Sequence, residues 1–305
     1  MPPSRPPVLA VAAPVRAEAA YLLEWIAYHR VLGVERFLLA DNGGSDGTSA
    51  LLAKLEGAGL ILRFDWREQR NFQLAFYRQA LEAARDVVDG LFLIDVDEFL
   101  RPSAEWFAEV KQEATVAPSG PAVSAIAQAW LSDPGIGAVA LNWAIYGSSG
   151  RAEPGDGLVI ERFGRRAPQD FSVNRHAKAF VRMASCEGPT DNPHAVALRL
   201  GRYVNSRGDD VVWDTSAGFK AGITTSVVWD VLRVDHFVVK SSGEFSTKRE
   251  RRNLLRPDHE WEYYFELHDR NDVDDPVPSE LIERTKHEME RIASLLHTPT
   301  IMSAR

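Results

Sequence analysis

Two carboxylates follow directly on an apolar run in this sequence. The run is residues 90–94, which is typical of a buried strand, and Asp95, Val96, Asp97 and Glu98 come next. If the chain stays extended here, Asp95 and Asp97 share one face and Glu98 points to the other. Two carboxylates on one face repel each other unless a cation separates them, and a divalent ion with oxygen ligands meets that need. The spacing favours a metal site for phosphates, although a strand followed by a polar turn gives the same letters.

A regular alternation of strand and helix patterns precedes these acids. Strand patterns cover residues 8–13, 34–40, 60–64 and 90–94, and helical patterns cover 18–32, 48–58 and 71–88. The alternation predicts an α/β fold with a mostly parallel central sheet flanked by helices. Such sheets bind ligands at the carboxyl ends of their strands, so the loops that follow the first, second and fourth strands should meet in one crevice.

The pattern after Pro102 is looser. It predicts helices over 104–115, 243–252, 260–268 and 279–297, and strands over 138–142, 157–160, 177–182 and 231–234. A stretch rich in proline, glycine, alanine and serine covers 117–125, and a polar, glycine-rich region covers 187–214. The walls of a crevice are therefore harder to predict from this part of the chain.

Composition excludes several classes of protein. The chain has 305 residues and a formal net charge of −8, which argues against bulk nucleic-acid binding. Cys186 is the only cysteine, so an intrachain disulfide and a thiolate zinc site are both excluded. The sequence shows neither a secretory leader pattern nor a long apolar run. We expect a cytoplasmic protein, with at most peripheral contact at the inner face of a membrane.

A series of short motifs resembles the family 2-like and family 92-like glycosyltransferases. They are Arg16-Ala17-Glu18 with residues 23–29, residues 41–48, residues 95–99, Trp143 with residues 147–150, residues 158–163, Lys178 with Arg182, and residues 236–241. The resemblance spans most of residues 8–275, and the order and spacing of the motifs are more specific than any one of them. The chain departs from the family at Ala17, where asparagine is common, and at Gly44, where serine is frequent.

The resemblance implies a GT-A-like glycosyltransferase domain over residues 1–275, followed by a C-terminal helix at 276–305. Residues 8–102 would form the nucleotide-sugar-binding half and residues 103–275 the acceptor half. The implied reaction moves a sugar from a nucleotide diphosphate sugar, UDP-linked, to a saccharide or lipid-linked saccharide, with inversion. Mn²⁺ or Mg²⁺ would bridge the two donor phosphates and stabilise the charge on the leaving group.

The resemblance also implies roles for individual residues. The metal would be held by Asp95, Asp97 and His236, and the donor would be contacted by Arg16, Glu18, Asp41, Asp46, Asp95 and Lys240. Imidazole is a suitable ligand for such an ion, but a half-buried histidine that only forms hydrogen bonds is an equal alternative for His236. A solvated surface lysine is the simpler interpretation of Lys240 from sequence alone.

Transfer with inversion needs a base that takes the proton of the acceptor hydroxyl. Asp191 ranks first by its position, and Glu98 is a second candidate because it adjoins the metal motif. His194 lies three residues from Asp191 and can share the role. Asp209 and Asp210 are further options, with a polar turn as the alternative.

Two more groups suggest contacts with substrate. Trp143, Tyr146 and the loop at residues 147–150 would form an acceptor platform, because aromatic faces suit sugar rings, or Trp143 is a core residue at a strand end. The basic run of Lys248, Arg249, Arg251 and Arg252 would neutralise a diphosphate or contact an anionic membrane. A solvated helix face is the alternative for that run.

Two other functions stay open. A haloacid-dehalogenase-like phosphatase also ends an apolar strand in Asp-x-Asp and uses later paired acids, here Asp209 and Asp210. Its motif normally lies near the start of the domain, whereas three strand–helix units come first in this chain. A noncatalytic nucleotide-sugar or carbohydrate-binding relative would keep the fold, but the presence of both Asp95 and Asp97 argues against it.

Overall fold

A computed structural model describes residues 5–104, 121–253 and 260–297. Within these ranges the strands are β1 (Leu9–Val15), β2 (Arg36–Asp41), β3 (Leu62–Asp65), β4 (Gly90–Leu93), β5 (Glu98–Pro102), β6 (Ile136–Ile145), β7 (Arg165–Arg166), β8 (Ala177–Arg182), β9 (Cys186–Pro189), β10 (Val196–Leu198), β11 (Arg202–Asn205), β12 (Leu232–His236) and β13 (Val273–Asp274). The α-helices are α1 (Ala19–Val31), α2 (Thr48–Gly57), α3 (Gln73–Ala84), α4 (Ala122–Ser132), α5 (Val159–Arg162), α6 (Ser242–Asn253), α7 (Trp261–His268) and α8 (Ser279–His297). The helix predicted over 104–115 lies outside the described residues, apart from its first residue.

The central sheet has the order β3-β2-β1-β4-β8-β6-β12-β5, with β11 also paired to β6. Its first four strands are parallel to one another, as the strand–helix alternation predicts. Antiparallel pairs begin where β8 joins β4 and recur between β8 and β6 and between β5 and β12. The predicted α/β class is confirmed: a mostly parallel sheet is flanked by helices and followed by the C-terminal helix α8. The boundary predicted at residues 102 and 103 stays a prediction.

Alternating residues of the buried strands face two apolar layers. Leu9 and Val11 pack in one layer with Trp25 of α1, and α2, α4 and α8 add to this layer. Ala10 and Ala12 pack in the other layer with Phe76 and other residues of α3. Because both faces of β1 are covered, its sequence is continuously apolar rather than alternating. No helix within the described ranges has the length and apolar character needed to cross a membrane.

The first strand continues past Pro14, where the sequence predicts that it ends. Ala12 and Pro14 direct their backbone polar groups to the same side, and the Ala12 carbonyl accepts a hydrogen bond from Ile94 on the β4 side. The ladder between β1 and β4 ends at Ala12, while β2 continues along the other side of β1 as far as Val15. Proline is tolerated because its missing N–H lies where no ladder partner is present.

The strand predicted over 157–160 is wrong, because this segment begins a short helix. Glu24 of α1 is buried, and its carboxylate accepts hydrogen bonds from the backbone N–H groups of Val159 (2.9 Å) and Ile160 (3.0 Å). These are two of the donors that the first turn of a helix leaves without a partner inside the helix. The interaction spans more than a hundred residues of chain, so local pattern does not reveal it.

The aromatic residues of α1 hold β5 in place. Trp25 donates its indole N–H to the carbonyl of Glu98 (2.7 Å), and Tyr28 donates its hydroxyl to the carbonyl of Leu100 (2.8 Å). The backbone N–H of Leu100 in turn donates to Nε2 of His29 (3.3 Å). This part of α1 therefore fixes the position of β5, and with it the acidic turn that precedes β5.

Candidate functional site

A cleft of about 610 Å³ opens at the carboxyl ends of β1, β2 and β4, at the sheet edge where the sequence predicts a ligand site. The first half of the chain contributes polar side chains that include Arg16, Glu18, Asn42, Asp46, Gln73, Asp95 and Asp97. The second half contributes Trp143, Lys178, His194, His236, Lys240, Glu244 and Lys248, among others. The cleft therefore lies between the parallel strands and the elements that follow them.

The acidic residues form a turn rather than an extended strand. β4 ends at Leu93, and the backbone N–H of Glu98 donates to the carbonyl of Asp95 (3.1 Å). The backbone N–H of Asp95 donates to Oε2 of Glu98 (2.8 Å), which closes the turn from the other side. The expectation that Asp95 and Asp97 share one face of a strand is wrong, because the strand has already ended. Both residues nevertheless line the cleft.

Asp95 is paired with a buried lysine. Lys178 of β8 donates to Oδ2 of Asp95 (2.7 Å), and Gln73 donates to Oδ1 (3.1 Å). The Lys178 ammonium also lies 3.3 Å from Oε1 of Glu98. Although burial disfavours its charged form, Asp95 and Glu98 raise the pKa of Lys178 above its usual value. We call these four residues the Asp95 cluster.

Asp97 is paired with a different lysine. Lys248 of α6 donates to Oδ2 of Asp97 (2.6 Å) and to the carbonyl of Val238 (2.9 Å). His236, at the end of β12, places Nε2 3.5 Å from Oδ1 of Asp97. Burial opposes ionisation of Asp97, but Lys248 and His236 outweigh it and hold its pKa well below the usual range. We call Asp97, His236 and Lys248 the Asp97 cluster.

The Asp97 cluster fits a divalent ion in part. Oδ1 of Asp97 and Nε2 of His236 lie close enough to bind one ion, and burial lowers the pKa of His236, which favours the neutral imidazole that binds metals. Within the described residues, no group of three His, Cys, Asp or Glu side chains that could hold an ion comes together. Mg²⁺-type sites commonly take few protein ligands and complete their shell with substrate phosphates and water. Asp97 and His236 therefore suit an ion that arrives with a phosphate ligand, and Asp95 is engaged by Lys178 instead.

Glu98 is buried beneath the turn. Its residue is 0% exposed, and it is not among the described residues that line the cleft. Burial raises the pKa of Glu98 to about 8, with the nearby Lys178 opposing the change. Since its carboxylate accepts from the backbone of Asp95, Glu98 shapes the turn rather than meeting a substrate in this arrangement.

The end of the cleft formed by the loops after β1 and β2 contains three of the predicted residues. Arg16 donates to the carbonyl of Asn42 (2.6 Å), and Asp46 accepts from the backbone of Ala19 (3.1 Å) and of Thr48 (3.2 Å). Glu18 also lines the cleft. These bonds hold the loops after β1 and β2 against each other.

Asp41 lies outside this lining. Its carboxylate is buried and accepts from the backbone N–H of Gly43 (2.9 Å) and the hydroxyl of Ser49 (2.8 Å). Arg63 completes the set with an ion pair at 2.8 Å. The structure therefore gives Asp41 a bracing position at the end of β2, not a place among the described cleft residues.

Ala17 and Gly44, the two residues that depart from the family pattern, contact each other. Ala17 has a φ of 55°, a left-handed conformation that asparagine adopts more readily than alanine. Gly44 has a φ of 137°, and a Cβ there would lie 3.0 Å from the Ala17 backbone. The close approach requires glycine at position 44, so the loops after β1 and β2 are matched at this contact.

Lys240 lies in the cleft in an unusual backbone conformation. Its φ is 56°, and its ammonium group sits over the ring of Tyr21, 4.4 Å from the ring centre. The residue is only 4% exposed, so it is not the solvated surface lysine that its sequence suggests. A strained, buried cation at a cleft wall is typical of a functional position.

Glu244 anchors the wall next to Lys240. Arg162 forms two hydrogen bonds with its carboxylate (2.8 and 3.0 Å), and the hydroxyls of Tyr21 and Ser241 also donate to it. Burial opposes ionisation, but these donors lower the pKa of Glu244 to about 2. Glu244 is therefore ionised, and its carboxylate is already hydrogen-bonded by protein side chains.

Trp143 lines the cleft surrounded by three imidazoles. Its ring lies 4.9 Å from His176, 5.1 Å from His194 and 4.5 Å from His236, measured between ring centres. The expected acceptor platform is wrong for Tyr146, which is fully buried and donates its hydroxyl to the carbonyl of Asp275 (2.9 Å). Trp143 is itself buried, at 9% exposure, and His176 stacks on its ring.

The remaining base candidates lie on the surface. Asp191 is exposed and is not among the described lining residues, whereas its neighbours Pro193 and His194 are. Asp209 and Asp210 are exposed and pair with Arg207 (3.2 Å) and Arg202 (2.9 Å). These three acids therefore do not line the cleft, and the pair that the phosphatase alternative needs, Asp209 and Asp210, is not among the described lining residues.

The basic run on α6 divides between two environments. Lys248 reaches Asp97, whereas Arg249 pairs with Glu262 of α7 at 2.6 Å. The side chains of Arg251 and Arg252 lie outside the described part of the structure. The interpretation of Lys248 as part of a solvated face is wrong, because its ammonium is held inside the cleft.

Sequence reasoning gave Lys178 no role of its own. A signal was available, since this lysine lies among the apolar residues Ala177 and 179–181 of the sequence, and a fully buried lysine almost always has an anionic partner. The partner itself was not predictable, because Asp95 and Lys178 are 83 residues apart in the chain.

The fold and the cleft together define an α/β protein with a cleft at the carboxyl edge of a mostly parallel sheet, the edge at which such sheets bind ligands. Residues 8–133 match the family model described as "Glycosyltransferase family 92". The resemblance to family 92 is confirmed for this part of the chain, which holds Arg16, Asp46 and the Asp95–Glu98 turn. The chain is thus similar to glycosyltransferases over the half of the sheet that forms the floor of the cleft.

Curated relatives carry the same family name. A glycosyltransferase family 92 protein of Oryza sativa subsp. japonica is 31% identical over 106 residues, which are 34% of this chain and 18% of the relative. A family 92 protein of Ricinus communis is 31% identical over 96 residues, 31% of this chain and 17% of the relative. One of Arabidopsis thaliana is 27% identical over 145 residues, 47% of this chain and 24% of the relative. The chain thus spans about a fifth of the length of these relatives.

Crystal structures of S. aureus TarS also align with this fold. The structure of residues 1–349 superposes with a TM-score of 0.36 and 13% sequence identity, and the alignment covers 58% of this chain and 47% of that chain. Further crystals of the same protein are described as complexes with UDP-GlcNAc and with UDP. Similarity at this level supports no conclusion about the ligand of the present chain.

Proposed function

We propose that this chain is a glycosyltransferase whose donor is a nucleotide diphosphate sugar, UDP-linked. The observation that carries the proposal is the Asp95–Glu98 turn at the sheet edge, with Lys178, Lys240 and Lys248 lining the same cleft. A diphosphate has several charged oxygens, and lysine ammonium groups bind such oxygens as point charges. The family 92 match over residues 8–133 supports transfer of a sugar as the reaction.

Asp97 and His236 would hold a divalent ion, Mn²⁺ or Mg²⁺, in this proposal. Such an ion supplies Lewis-acid stabilisation of the charge that develops on the leaving diphosphate. Asp95 takes part differently, since Lys178 and Gln73 hold its carboxylate at the cleft wall. Lys240, above Tyr21, is placed to bind a phosphate oxygen.

The acceptor belongs to the same proposal. We propose a saccharide or lipid-linked saccharide, transfer with inversion, and a cytoplasmic location with peripheral contact at a membrane. The motif resemblance supports the acceptor class and the inversion, whereas the location rests on the sequence pattern alone. The second half of the chain supplies the cleft wall that an acceptor would meet, including Pro193, His194 and Tyr264.

A thermal-shift screen of UDP, GDP, ADP and CDP, with and without Mn²⁺, tests the donor. A ligand that binds only the folded protein raises its melting temperature by mass action, so we expect UDP with Mn²⁺ to give the largest shift. The variant Lys240→Met should weaken UDP binding about tenfold, which corresponds to about 1.4 kcal/mol. Lys220→Met is the matched control, because Lys220 is exposed and is not among the described lining residues. The proposal fails if none of the four nucleotides shifts the melting temperature.

A turnover assay separates the three functional classes. Release of UDP from UDP-sugars in the presence of saccharide acceptors is the expected result. Release of inorganic phosphate from phosphomonoesters would favour the phosphatase instead. Nucleotide binding without turnover of any donor and acceptor pair would favour the noncatalytic relative.

A further inference from the structure

His194 is a cleft residue whose imidazole contacts a backbone carbonyl through one of its nitrogens. His194 lines the cleft, and its ring packs edge-on against Trp143 with 5.1 Å between ring centres. It comes from the loop between β9 and β10, on the side of the cleft formed by the second half of the chain. The residue thus lies on the side that we assign to the acceptor.

The loop that carries His194 is firmly held. Asn192 donates to the carbonyl of Ala221 (2.9 Å), and its Oδ1 accepts from the backbone N–H of His194 (2.7 Å). A Cβ at Gly222 would lie 2.6 Å from Nδ2 of Asn192, so the two segments are in direct contact. The imidazole is therefore positioned by its own backbone as well as by Trp143.

Hydrogen bonding fixes the tautomer of His194. Nδ1 lies 3.0 Å from the carbonyl oxygen of Ala177, which can only accept, so Nδ1 carries the proton. Nε2, the other ring nitrogen, then carries the lone pair, and the residue lines the cleft. Burial, followed by the charge of Lys178, holds the pKa of His194 well below its usual range, so the ring is neutral near pH 7.

The carboxylates at the centre of the cleft are engaged by protein cations. Asp95 is bound by Lys178, Asp97 by Lys248 and Glu244 by Arg162, each at 2.8 Å or less. If any of these carboxylates accepted a proton, it would lose its charge and its ion pair would break. Protonation of His194 breaks no ion pair, although burial and the charge of Lys178 disfavour its charged form. A general base needs a lone pair within reach of the acceptor hydroxyl.

We propose that Nε2 of His194 is the general base of the transfer, an inference that rests on the proposed function. The acceptor oxygen forms a bond to the anomeric carbon of the donor sugar while the bond from that carbon to the phosphate oxygen breaks. The electron pair of the broken bond leaves with the nucleoside diphosphate. The hydroxyl proton passes to Nε2 and is later released to water. His194 replaces Asp191, three residues earlier, as the base.

The test compares His194→Ala with His176→Ala. Both changes remove an imidazole that packs on Trp143 and that holds a backbone carbonyl through Nδ1, but His176 is not among the described lining residues. UDP release from UDP-sugars with saccharide acceptors gives kcat, and calorimetry gives the Kd of UDP. We expect His194→Ala to lower kcat about 10²–10⁴-fold with little change in the Kd of UDP. Free imidazole should restore part of the lost turnover in His194→Ala only.

Three results would overturn the assignment. The first is a His194→Ala variant whose kcat stays within about tenfold of the unaltered protein, below the range of general-base catalysis. The second is an equal loss in both variants without rescue by imidazole, which would mean that the ring only supports Trp143. The third is a Glu18→Gln variant that shows the loss instead. A failure of the proposed function is distinct, because the unaltered protein would then release no UDP.

Discussion

Asp95 and Asp97 are two residues apart, yet they belong to different kinds of charge cluster. Asp95 meets Lys178, which is 1% exposed and comes from β8 in the middle of the sheet. Asp97 meets Lys248, which comes from α6 at the cleft wall, and His236. The Asp95 cluster is built into the core of the fold, whereas the cation of the Asp97 cluster comes from a flanking helix. We infer that the Asp95 cluster is fixed, meaning that its ion pair persists when ligands bind. In the Asp97 cluster, by contrast, a bound ion can replace Lys248.

The two clusters also respond to pH in opposite directions. Burial raises the pKa of Glu98, so the Asp95 cluster holds a proton that the unfolded chain would release. Despite burial, Lys248 and His236 lower the pKa of Asp97, so the Asp97 cluster favours loss of its proton. Asp97 therefore stabilises the folded state above about pH 3.8, its ordinary pKa, and this contribution is lost as the pH falls through its lowered pKa.

Removal of the fixed cation should have the largest effect on stability. Lys178→Met leaves Asp95 and the buried Glu98 without their cation, and breaking a buried ion pair from one side costs about 3–5 kcal/mol. Urea unfolding measures the loss. Lys286→Met is the control, because Lys286 forms only exposed ion pairs with Glu161 and Glu283 and should change stability little. Equal stability of the two variants would show that the ion pairs of Lys178 do not hold the fold together, so the Asp95 cluster would not be fixed.

The two acids should differ most clearly in their dependence on metal. Asp97→Asn should remove the gain in UDP affinity that Mn²⁺ provides, a loss of about 10–100-fold. Asp95→Asn should leave the gain from Mn²⁺ in place, because its carboxylate is held by Lys178 rather than by an ion. Calorimetry with UDP at matched Mn²⁺ concentrations makes the comparison. If both variants lose the Mn²⁺ effect equally, the two acids act as one metal site.

The Asp95 cluster should make stability fall as the pH rises. Glu98 has a pKa of about 8 in the folded protein against an ordinary value of 4.5. Its contribution is therefore complete below about pH 4.5 and is lost progressively as the pH rises to about 8, since folding then requires a proton that the unfolded chain no longer holds. In Glu98→Gln this decline should be smaller. Urea unfolding at several pH values tests it, with the exposed Glu153→Gln as a control that should keep the original slope.

The contrast between the clusters also shows what sequence can predict. The strand–helix alternation located the sheet edge, and the motifs placed Arg16, Asp46, Asp97 and His236 in the lining of one cleft. These predictions rest on local periodicity and on parallel strands ending at a common edge. They needed no knowledge of which side chains meet across the fold.

The partners of the acids were beyond such reasoning. Lys178 is 83 residues from Asp95, and Lys248 is 151 residues from Asp97. The turn at residues 95–98 depends on Glu98 reaching back to the Asp95 backbone and on Trp25 holding the carbonyl of Glu98. An apolar run followed by acids does not show where the strand stops. The extended geometry was therefore wrong, although Asp95 and Asp97 both line the cleft at the predicted sheet edge.

The smallest effect should come from the exchangeable cation. Lys248 donates to Oδ2 of Asp97, so a divalent ion that binds Asp97 and His236 has to compete with it. In Lys248→Met this competition is gone, and Mn²⁺ should bind the donor-free protein about tenfold more tightly, which equals about 1.4 kcal/mol. Arg249→Met is the matched control, because Arg249 is the next residue of α6 and pairs with Glu262. Calorimetric titration with Mn²⁺ measures both variants. If the Lys248→Met variant binds Mn²⁺ with unchanged or lower affinity, Lys248 does not occupy the place of an ion. The Asp97 cluster would then be as permanent a part of the fold as the Asp95 cluster.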